Sequence, residues 1–239
     1  MWTLKWNVDE RKEMDTEMRR LMVKFGALHP QMADEILFLS RAKGGRGVKS
    51  HELVYQASRI KMAVHLATTQ DPTLRLVAKH EDGKEFASLF REAERFAKGL
   101  GLSLELNATG AKAEYESDDG ELMLMDVMNA GEVKRVVYKL QQRQLLAKVM
   151  ELGWQGQFLK EFHESDGTAM SFRWLQWANM PVEVEAGMFE LIAGTLKTRV
   201  FDDVRSIEVA TRKCRVRLEH DETVRHLVAG CPFGSLPIS

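Results

Sequence analysis

The feature that most constrains the fold of this chain is an apolar stripe at helical spacing between Asp82 and Leu100. The side chains of the stripe recur three or four positions apart: Phe86, Leu89, Phe90, Ala93, Phe96, Ala97 and Leu100. Residues three and four apart share one face of an α-helix, so the stripe predicts an amphipathic helix over 82–100. Gly99 and Gly101 mark its end.

Weaker stripes of the same kind predict further helices along the chain. One runs from Asp9, a potential cap, to Phe25, where Gly26 ends it, and another follows Ser50 and stops near Asp71 and Pro72. A shorter helix up to Lys79 and helices over 122–152, 169–178 and 182–199 complete the set. The run 36–39 could form a short strand, but its length does not decide this. The stretch 102–110 could form a short strand or an extended linker. These patterns predict a mostly α-helical protein with two helical lobes and at most short strands.

An acidic stretch, "AEYESDDGE", is the best candidate for a boundary between the lobes, because it is poor in apolar side chains. The predicted organisation is a helical region over 1–110, an acidic linker over 111–121, a second helical region over 122–210 and a small terminal segment over 211–239.

Composition restricts the class of protein. The formal net charge is -1, whereas a dedicated nucleic-acid-binding domain is usually strongly basic, so any contact with nucleic acid requires local basic patches. No apolar run approaches the roughly 18 residues of a membrane span, and the amino terminus has no apolar signal core. These features predict a soluble, intracellular protein with no membrane partner.

Two basic segments could contact phosphates. The first, "RAKGGRGVK", carries Arg41, Lys43 and Arg46 around Gly44, Gly45 and Gly47, and glycines allow backbone N–H groups to approach an anion. The second places Arg135, Lys139 and Arg143 four apart, hence on one face of a helix, with Lys134 beside them. A solvated basic turn and a solvated helix face are the alternative interpretations of these patterns.

The sequence contains no convincing catalytic motif. The pairs Asp118 with Asp119 and Asp202 with Asp203 lack the third carboxylate that a metal-dependent polymerase or nuclease gathers. No G-x-S-x-G or H-E-x-x-H pattern is present. Trp154, Trp174 and Trp177 lie among apolar neighbours, which favours core packing over base stacking.

The carboxyl-terminal region contains three quarters of a zinc knuckle. Cys214, His226 and Cys231 fit the pattern C-x2-C-x8-H-x4-C, but Arg217 occupies the second cysteine position. His220 is the nearest residue that could replace the missing ligand. Zinc is therefore a doubtful cofactor at this site.

Four segments in order resemble the carboxyl-terminal part of reverse transcriptases from non-LTR (LINE-type) retrotransposons. They are "GALHPQMADEILFLSRAKGGRGVKS", "QGQFLKEF", "FRWLQWANMPVEVEAGMFELIAGTLKTR" and "CRVRLEHDETVRHLVAGCP". The family carries Gly-Gly-Arg-Gly, here residues 44–47, and Gly-Gln-Phe or Gly-Gln-Tyr, here residues 156–158. Trp174 and Asn179 match its Trp-Leu-x-x-Gly-Asn motif, while Ser40, Ala178 and Arg217 depart from the family pattern.

This resemblance implies a thumb and helical linker that follow the polymerase palm, and then a Cys-Cys-His-Cys knuckle that contacts nucleic acid. The polymerase aspartates belong upstream of these segments in the family, and a nuclease domain usually follows them. We therefore expect a non-catalytic fragment that contacts template RNA or target DNA, with the missing palm and nuclease domains as partners. The alternative is a helical protein-interaction module, or an expressed relic that binds no nucleic acid.

Overall fold

The computed structural model describes residues 6–164, 172–177, 179–204, 211–215 and 218–228. Most of these residues are helical, and a small antiparallel sheet is the only sheet among them, so the predicted fold class is confirmed. The helices are α1 Val8–Lys24, α2 Asp34–Phe38, α3 His51–Thr68, α4 Pro72–Asp82, α5 Leu89–Gly99, α6 Ala130–Glu151, α7 Gly153–Glu164, α8 Arg173–Trp177, α9 Val182–Ile192, α10 Arg199–Val204 and α11 Val224–Val228. The strands are β1 Leu102–Asn107, β2 Gly110–Glu116 and β3 Leu122–Leu124, and a 3-10 helix spans Arg41–Lys43.

The chain divides into two compact units that do not follow the predicted boundaries. Unit 1 contains Met1–Met18 and Val48–Ala147, and unit 2 contains Arg19–Gly47 and Lys148–Ser239. No helix of the described ranges has the length and apolar character that a membrane span requires.

In unit 1, a sheet of order β1-β2-β3 packs against helices. β1 pairs antiparallel with β2 from Leu102 opposite Tyr115 to Asn107 opposite Gly110, so "NATG" forms a tight hairpin. Alternate β1 residues Leu102, Leu104 and Leu106 are buried. Because successive strand side chains point to opposite faces, this pattern places one face of β1 in the core. The same core contains residues from α3, α4, α5 and α6, including Ile60, Ala78, Phe90 and Val137.

The helix predicted over 82–100 begins seven residues late, at Leu89. Ser88 caps it, since its hydroxyl accepts a hydrogen bond from the Phe90 N–H at 3.2 Å. Ala87 adopts φ 55°, a left-handed conformation that interrupts a helix, and Phe86 before it is 83% exposed. Only the later part of the apolar stripe therefore faces the core.

Glu81 holds the loop between α4 and α5 in place. Its backbone carbonyl accepts a hydrogen bond from the Ser88 hydroxyl at 2.8 Å, and its carboxylate accepts hydrogen bonds from the Leu89 N–H and from Lys84. Burial raises the pKa of Glu81, but these hydrogen bonds to Lys84 and Leu89 and the nearby charges of Lys84 and His80 together leave the pKa below its ordinary value.

The segment 111–121, expected as an acidic linker, instead lies inside unit 1. It contains most of β2 and the turn to β3, with Ala113 buried and Glu114 paired opposite Leu124. The low apolar content that suggested a linker reflects a strand with one face exposed. The helix expected over 122–152 is likewise shorter: β3 takes 122–124, and Asn129 caps α6 by accepting from the Gly131 and Glu132 N–H groups.

In unit 2, the run 36–39, whose structure the sequence did not decide, forms the end of α2 and its carboxyl-terminal cap. Ile36, Leu37 and Leu39 are buried. The predicted helix over 169–178 is seen as α8, with Phe172 in a turn before it, and residues 169–171 and 178 lie outside the described ranges. The helix expected over 182–199 ends at Ile192, because Gly194 adopts φ 62°.

Candidate nucleic-acid interface

Helix α6 carries the predicted basic stripe on its surface in unit 1. Lys134, Arg135 and Lys139 are exposed, and the Arg135 side chain is 75% accessible. Arg135 Nη2 lies 3.9 Å from Glu132 Oε1, at the limit of an ion pair. Arg135 therefore presents a charge that is almost fully hydrated and open to a phosphate.

The other two cations of the stripe are tied to the turn between β2 and β3. Lys139 Nζ lies 2.8 Å from Asp118 Oδ2, and Arg143 Nε lies 3.8 Å from Asp118 Oδ1. Arg143 also donates to the backbone carbonyls of Glu116 and Ser117 at 2.9 and 2.8 Å. Asp118, which the sequence offers as half of a carboxylate pair, thus serves as a counter-charge to the stripe.

An exposed aromatic ring, that of Tyr138, lies among these cations, although Tyr138 is not one of the site residues predicted from the sequence. Tyr138 is 50% exposed and sits one helical turn after Lys134 and Arg135. Aromatic rings beside cations are the usual stacking surface for unpaired bases. The sequence does contain a signal for this ring, since Tyr138 lies in the same basic segment, three positions after Arg135 and four after Lys134.

The Gly-Gly-Arg-Gly turn in unit 2 uses its N–H groups within the unit. Gly44 donates to the Arg41 carbonyl, Gly45 to that of Ser40, and Gly47 to that of Leu39 at 2.7 Å. The Arg46 N–H donates to the Ile36 carbonyl at 3.0 Å. No N–H group of residues 44–47 therefore points to an anion, as a phosphate cradle requires.

The glycines of the turn are explained by close packing. A Cβ at Gly44 would lie 2.5 Å from Leu159 and 2.6 Å from Phe172, and the backbone there has φ 84°. A Cβ at Gly45 would lie 2.2 Å from the Leu39 carbonyl oxygen. Gly44, Gly45 and Arg46 are buried, so the turn is not the solvated loop that the alternative interpretation describes.

The two arginines of the turn share one carboxylate. Arg41 Nη2 donates to both oxygens of Glu185, at 2.8 and 3.1 Å, and its Nη1 donates to the Leu175 carbonyl. Arg46 Nε lies 3.8 Å from the same carboxylate, and its guanidinium lies 5.5 Å from the centroid of the Phe189 ring. Burial lowers the pKa of Arg46, while Glu185 raises it and Arg41 lowers it. On this geometry both arginines hold unit 2 together, and contact of Arg41, Lys43 and Arg46 with nucleic acid stays a prediction.

Three of the four segments that resemble the retrotransposon family meet around this turn. Gly44 approaches Leu159 of α7, which follows the Gly-Gln-Phe match, and the Lys43 carbonyl lies 3.2 Å from His163 Nε2. Gly156 is itself tightly packed, because a Cβ there would lie 2.1 Å from the Val149 carbonyl oxygen. Of the tryptophans, Trp154 donates to the Gly194 carbonyl at 2.7 Å but is 39% exposed, and Trp177 is 76% exposed, so neither fits the expected core packing.

The described part of the knuckle is compact, but its ligand set is incomplete. Cys214 is fully buried, its N–H donates to the His220 carbonyl at 2.7 Å, and the His220 and His226 rings lie 5.8 Å apart. His226 Nε2 is buried without a hydrogen-bond partner, as an atom awaiting a ligand would be. The described residues nevertheless contain no group of three potential ligands at metal-binding distances, and Cys231 and Arg217 lie outside them. Zinc at the knuckle stays a prediction from the sequence.

The second carboxylate pair is divided between two environments. Asp203 lies 3.2 Å from Arg212, whereas Asp202 is buried and its Oδ1 lacks a hydrogen-bond partner. A two-metal centre needs several carboxylates facing one space, and the ranges that the structure describes contain no such group.

Comparison of the chain with protein-family models, with curated proteins and with solved structures yields no match.

Proposed function

We propose that this chain is a non-catalytic nucleic-acid-contacting protein related to the post-palm region of a non-LTR reverse transcriptase, with α6 as its principal phosphate-contacting surface. The observation that carries the proposal is the exposed set of Lys134, Arg135 and Lys139 with Tyr138 among them. Cations supply phosphate affinity, and an exposed ring adds a stacking platform for an unpaired base.

The contacts of the stripe with Asp118 are compatible with this role. Asp118 is 60% exposed, and exposed ion pairs of this kind contribute only about 0 to 1 kcal/mol. Lys139 can therefore exchange the carboxylate for a phosphate at little cost. Arg143, which also donates to two backbone carbonyls, is a positioning residue for the β2–β3 turn as well as a candidate contact.

The proposal assigns no catalytic residue to the chain. Binding through phosphates carries affinity and little sequence information, so we expect single-stranded RNA and duplex DNA to bind with modest discrimination. Template RNA or target DNA, together with the palm and nuclease domains of a parent polyprotein, are the partners that the resemblance suggests.

The test is fluorescence anisotropy with labelled 20-nucleotide RNA and DNA at several salt concentrations. Lys134→Ala with Arg135→Ala should weaken binding and reduce the slope of log K against log salt by about one for each phosphate that the variant no longer neutralises. The matched control is Arg91→Ala with Lys98→Ala, which removes two exposed cations from α5 of the same unit. Absence of binding at low salt, or an equal reduction of affinity in both double variants, would refute the proposal.

A second candidate function comes from a different class, a helical protein-interaction module that binds no nucleic acid. The formal net charge of -1 favours this alternative, because it supplies no general attraction to a polyanion. A stable chain that fails the anisotropy test but retains a protein partner would select it.

A further inference from the structure

Unit 1 contains a cavity that the proposed function does not use. It has a volume of about 150 Å³ and lies between the beginning of α1 and one face of α3. Its apolar wall is formed by Trp6, Val54, Tyr55 and Met62. The full α3 lining also includes polar side chains, and it recurs at i, i+3, i+4, i+7, i+8 and i+11 from His51 to Met62, so a single helix face supplies most of the wall.

The formal charges around the cavity are paired. Arg11 Nε lies 2.5 Å from Glu52, Arg59 Nη2 lies 2.5 Å from Glu92, and His51 Nδ1 lies 2.8 Å from Asp15. Within the described residues, the cavity thus offers no unpaired counter-charge to an ion. Its preferred occupant is an uncharged group.

The volume of the cavity limits the uncharged group to about the size of one aromatic ring. An apolar cavity of about 150 Å³ accommodates a molecule of the size of benzene. An aromatic side chain matches both the volume and the apolar part of the wall, which Trp6, Val54, Tyr55 and Met62 form.

An acidic groove adjoins the cavity, because Trp6 lines both. The groove is open, has a volume of about 570 Å³, and is otherwise lined by Glu10, Glu13, Met14 and Glu17. These four side chains are exposed and share one face of α1. The lining contains three carboxylates and no cationic side chain.

The charge of the groove decides the class of the occupant. Phosphates of a nucleic-acid strand whose base entered the cavity would meet the carboxylates and be repelled. Lysine or arginine side chains of a peptide would be attracted there. An extended chain advances about 3.3 to 3.6 Å per residue, so cations within a few positions of the ring would reach the groove.

We infer that this surface of unit 1 docks a peptide segment of a partner protein, with one aromatic side chain in the cavity and neighbouring basic residues over Glu10 and Glu13. The site is separate from the α6 stripe and does not depend on the proposed nucleic-acid contact. It gives unit 1 a protein partner of defined chemistry.

The test uses a fluorescein-labelled, blocked peptide of sequence Phe-Gly-Arg-Lys-Arg and the full chain. Control peptides replace the phenylalanine by alanine, or the three basic residues by glutamate. We expect a Kd on the order of 0.1 to 1 mM for the first peptide, and at least about 10-fold weaker binding without its ring, because burial of an aromatic side chain contributes most of the affinity.

Variants of the protein test whether the peptide binds at the cavity and the groove. Ser58 is exposed at the cavity, so Ser58→Trp fills the space and should weaken binding about 10-fold, whereas Ser58→Ala leaves the cavity open and should preserve it. Glu13→Lys should weaken binding about 3-fold at low salt and have less effect at high salt, because exposed charges are screened. Glu105→Lys, an exposed site on β1 outside both linings, is the matched charge control.

Several results would overturn the inference. They are binding that does not require the aromatic residue, a Ser58→Trp variant that folds by circular dichroism yet binds normally, and absence of binding at 1 mM peptide. The α6 double variant should bind the peptide as the wild type does. The two proposals can therefore fail independently.

Discussion

Gly45→Ala is expected to destabilise unit 2 severely, although it adds only one methyl group to a turn that the sequence suggests is solvated. The added Cβ would lie 2.2 Å from the Leu39 carbonyl oxygen and 2.4 Å from the Leu39 Cβ. Neither atom is the end of a flexible side chain, so only a backbone shift can relieve the overlap. That shift would disturb the 2.7 Å hydrogen bond from the Gly47 N–H to the same carbonyl.

The magnitude follows from these two effects. Overpacking in a tight interior costs about 1 to 3 kcal/mol, and loss of one internal hydrogen bond adds about 0.5 to 1.5 kcal/mol. The free energy of unfolding should therefore fall by about 2 to 4 kcal/mol, a large share of a typical total of about 5 to 15 kcal/mol. In a unit of this size the melting temperature should fall by about 8 to 16 °C.

Urea unfolding followed by tryptophan fluorescence suits this test, because three of the five tryptophans, Trp154, Trp174 and Trp177, belong to unit 2. The matched control is Gly187→Ala in α9, where a Cβ would meet nothing within 4 Å. Replacing a mid-helix glycine by alanine should stabilise the same unit by up to about 1 kcal/mol. If Gly45→Ala unfolds like the wild type but loses affinity for RNA, the glycine serves a ligand and the packing argument fails.

Three further outcomes are expected. The pKa of Glu81 is depressed, so its contribution to stability is fully present above the ordinary glutamate pKa of about 4.3 and is lost as pH falls below it through the lower folded value; unit 1 should therefore lose stability as the pH falls below about 4.3, and Glu81→Gln should lessen this dependence in acid melting curves. Arg59→Ala should lower the free energy of unfolding by about 2 to 4 kcal/mol in urea titrations, since it leaves the largely buried Glu92 carboxylate without its cation, and a decrease below about 0.5 kcal/mol would contradict this. After supply of equimolar zinc, metal analysis should find one zinc per chain if His220 completes the knuckle, and none in His220→Ala; a wild-type chain without zinc would end that ligand set.

At the candidate interface, as in the fold, the sequence predicted features that depend on neighbouring residues and did not predict contacts between residues distant in sequence. The spacing of Arg135, Lys139 and Arg143 predicted a shared helix face, and α6 provides it, because side-chain direction in a helix follows from local geometry alone. The spacing did not reveal that Asp118 lies beside two of these cations. That contact depends on the turn between β2 and β3, which is distant in sequence.

Sequence alone determined the helical class, the cap at Ser50 and the end of α1 near Gly26, since each depends on residues within a turn or two of one another. Tertiary structure decided what those patterns could not. Residues 111–116 of the acidic stretch form a strand because β1 and β3 pair with them, and Phe86 is left exposed because the chain turns at Ala87. The turn of Gly44, Gly45 and Arg46 is buried because α7, α9 and Phe172 pack against it. Burial is a property of the neighbours that long-range folding brings to a residue, and local spacing carries no information about them.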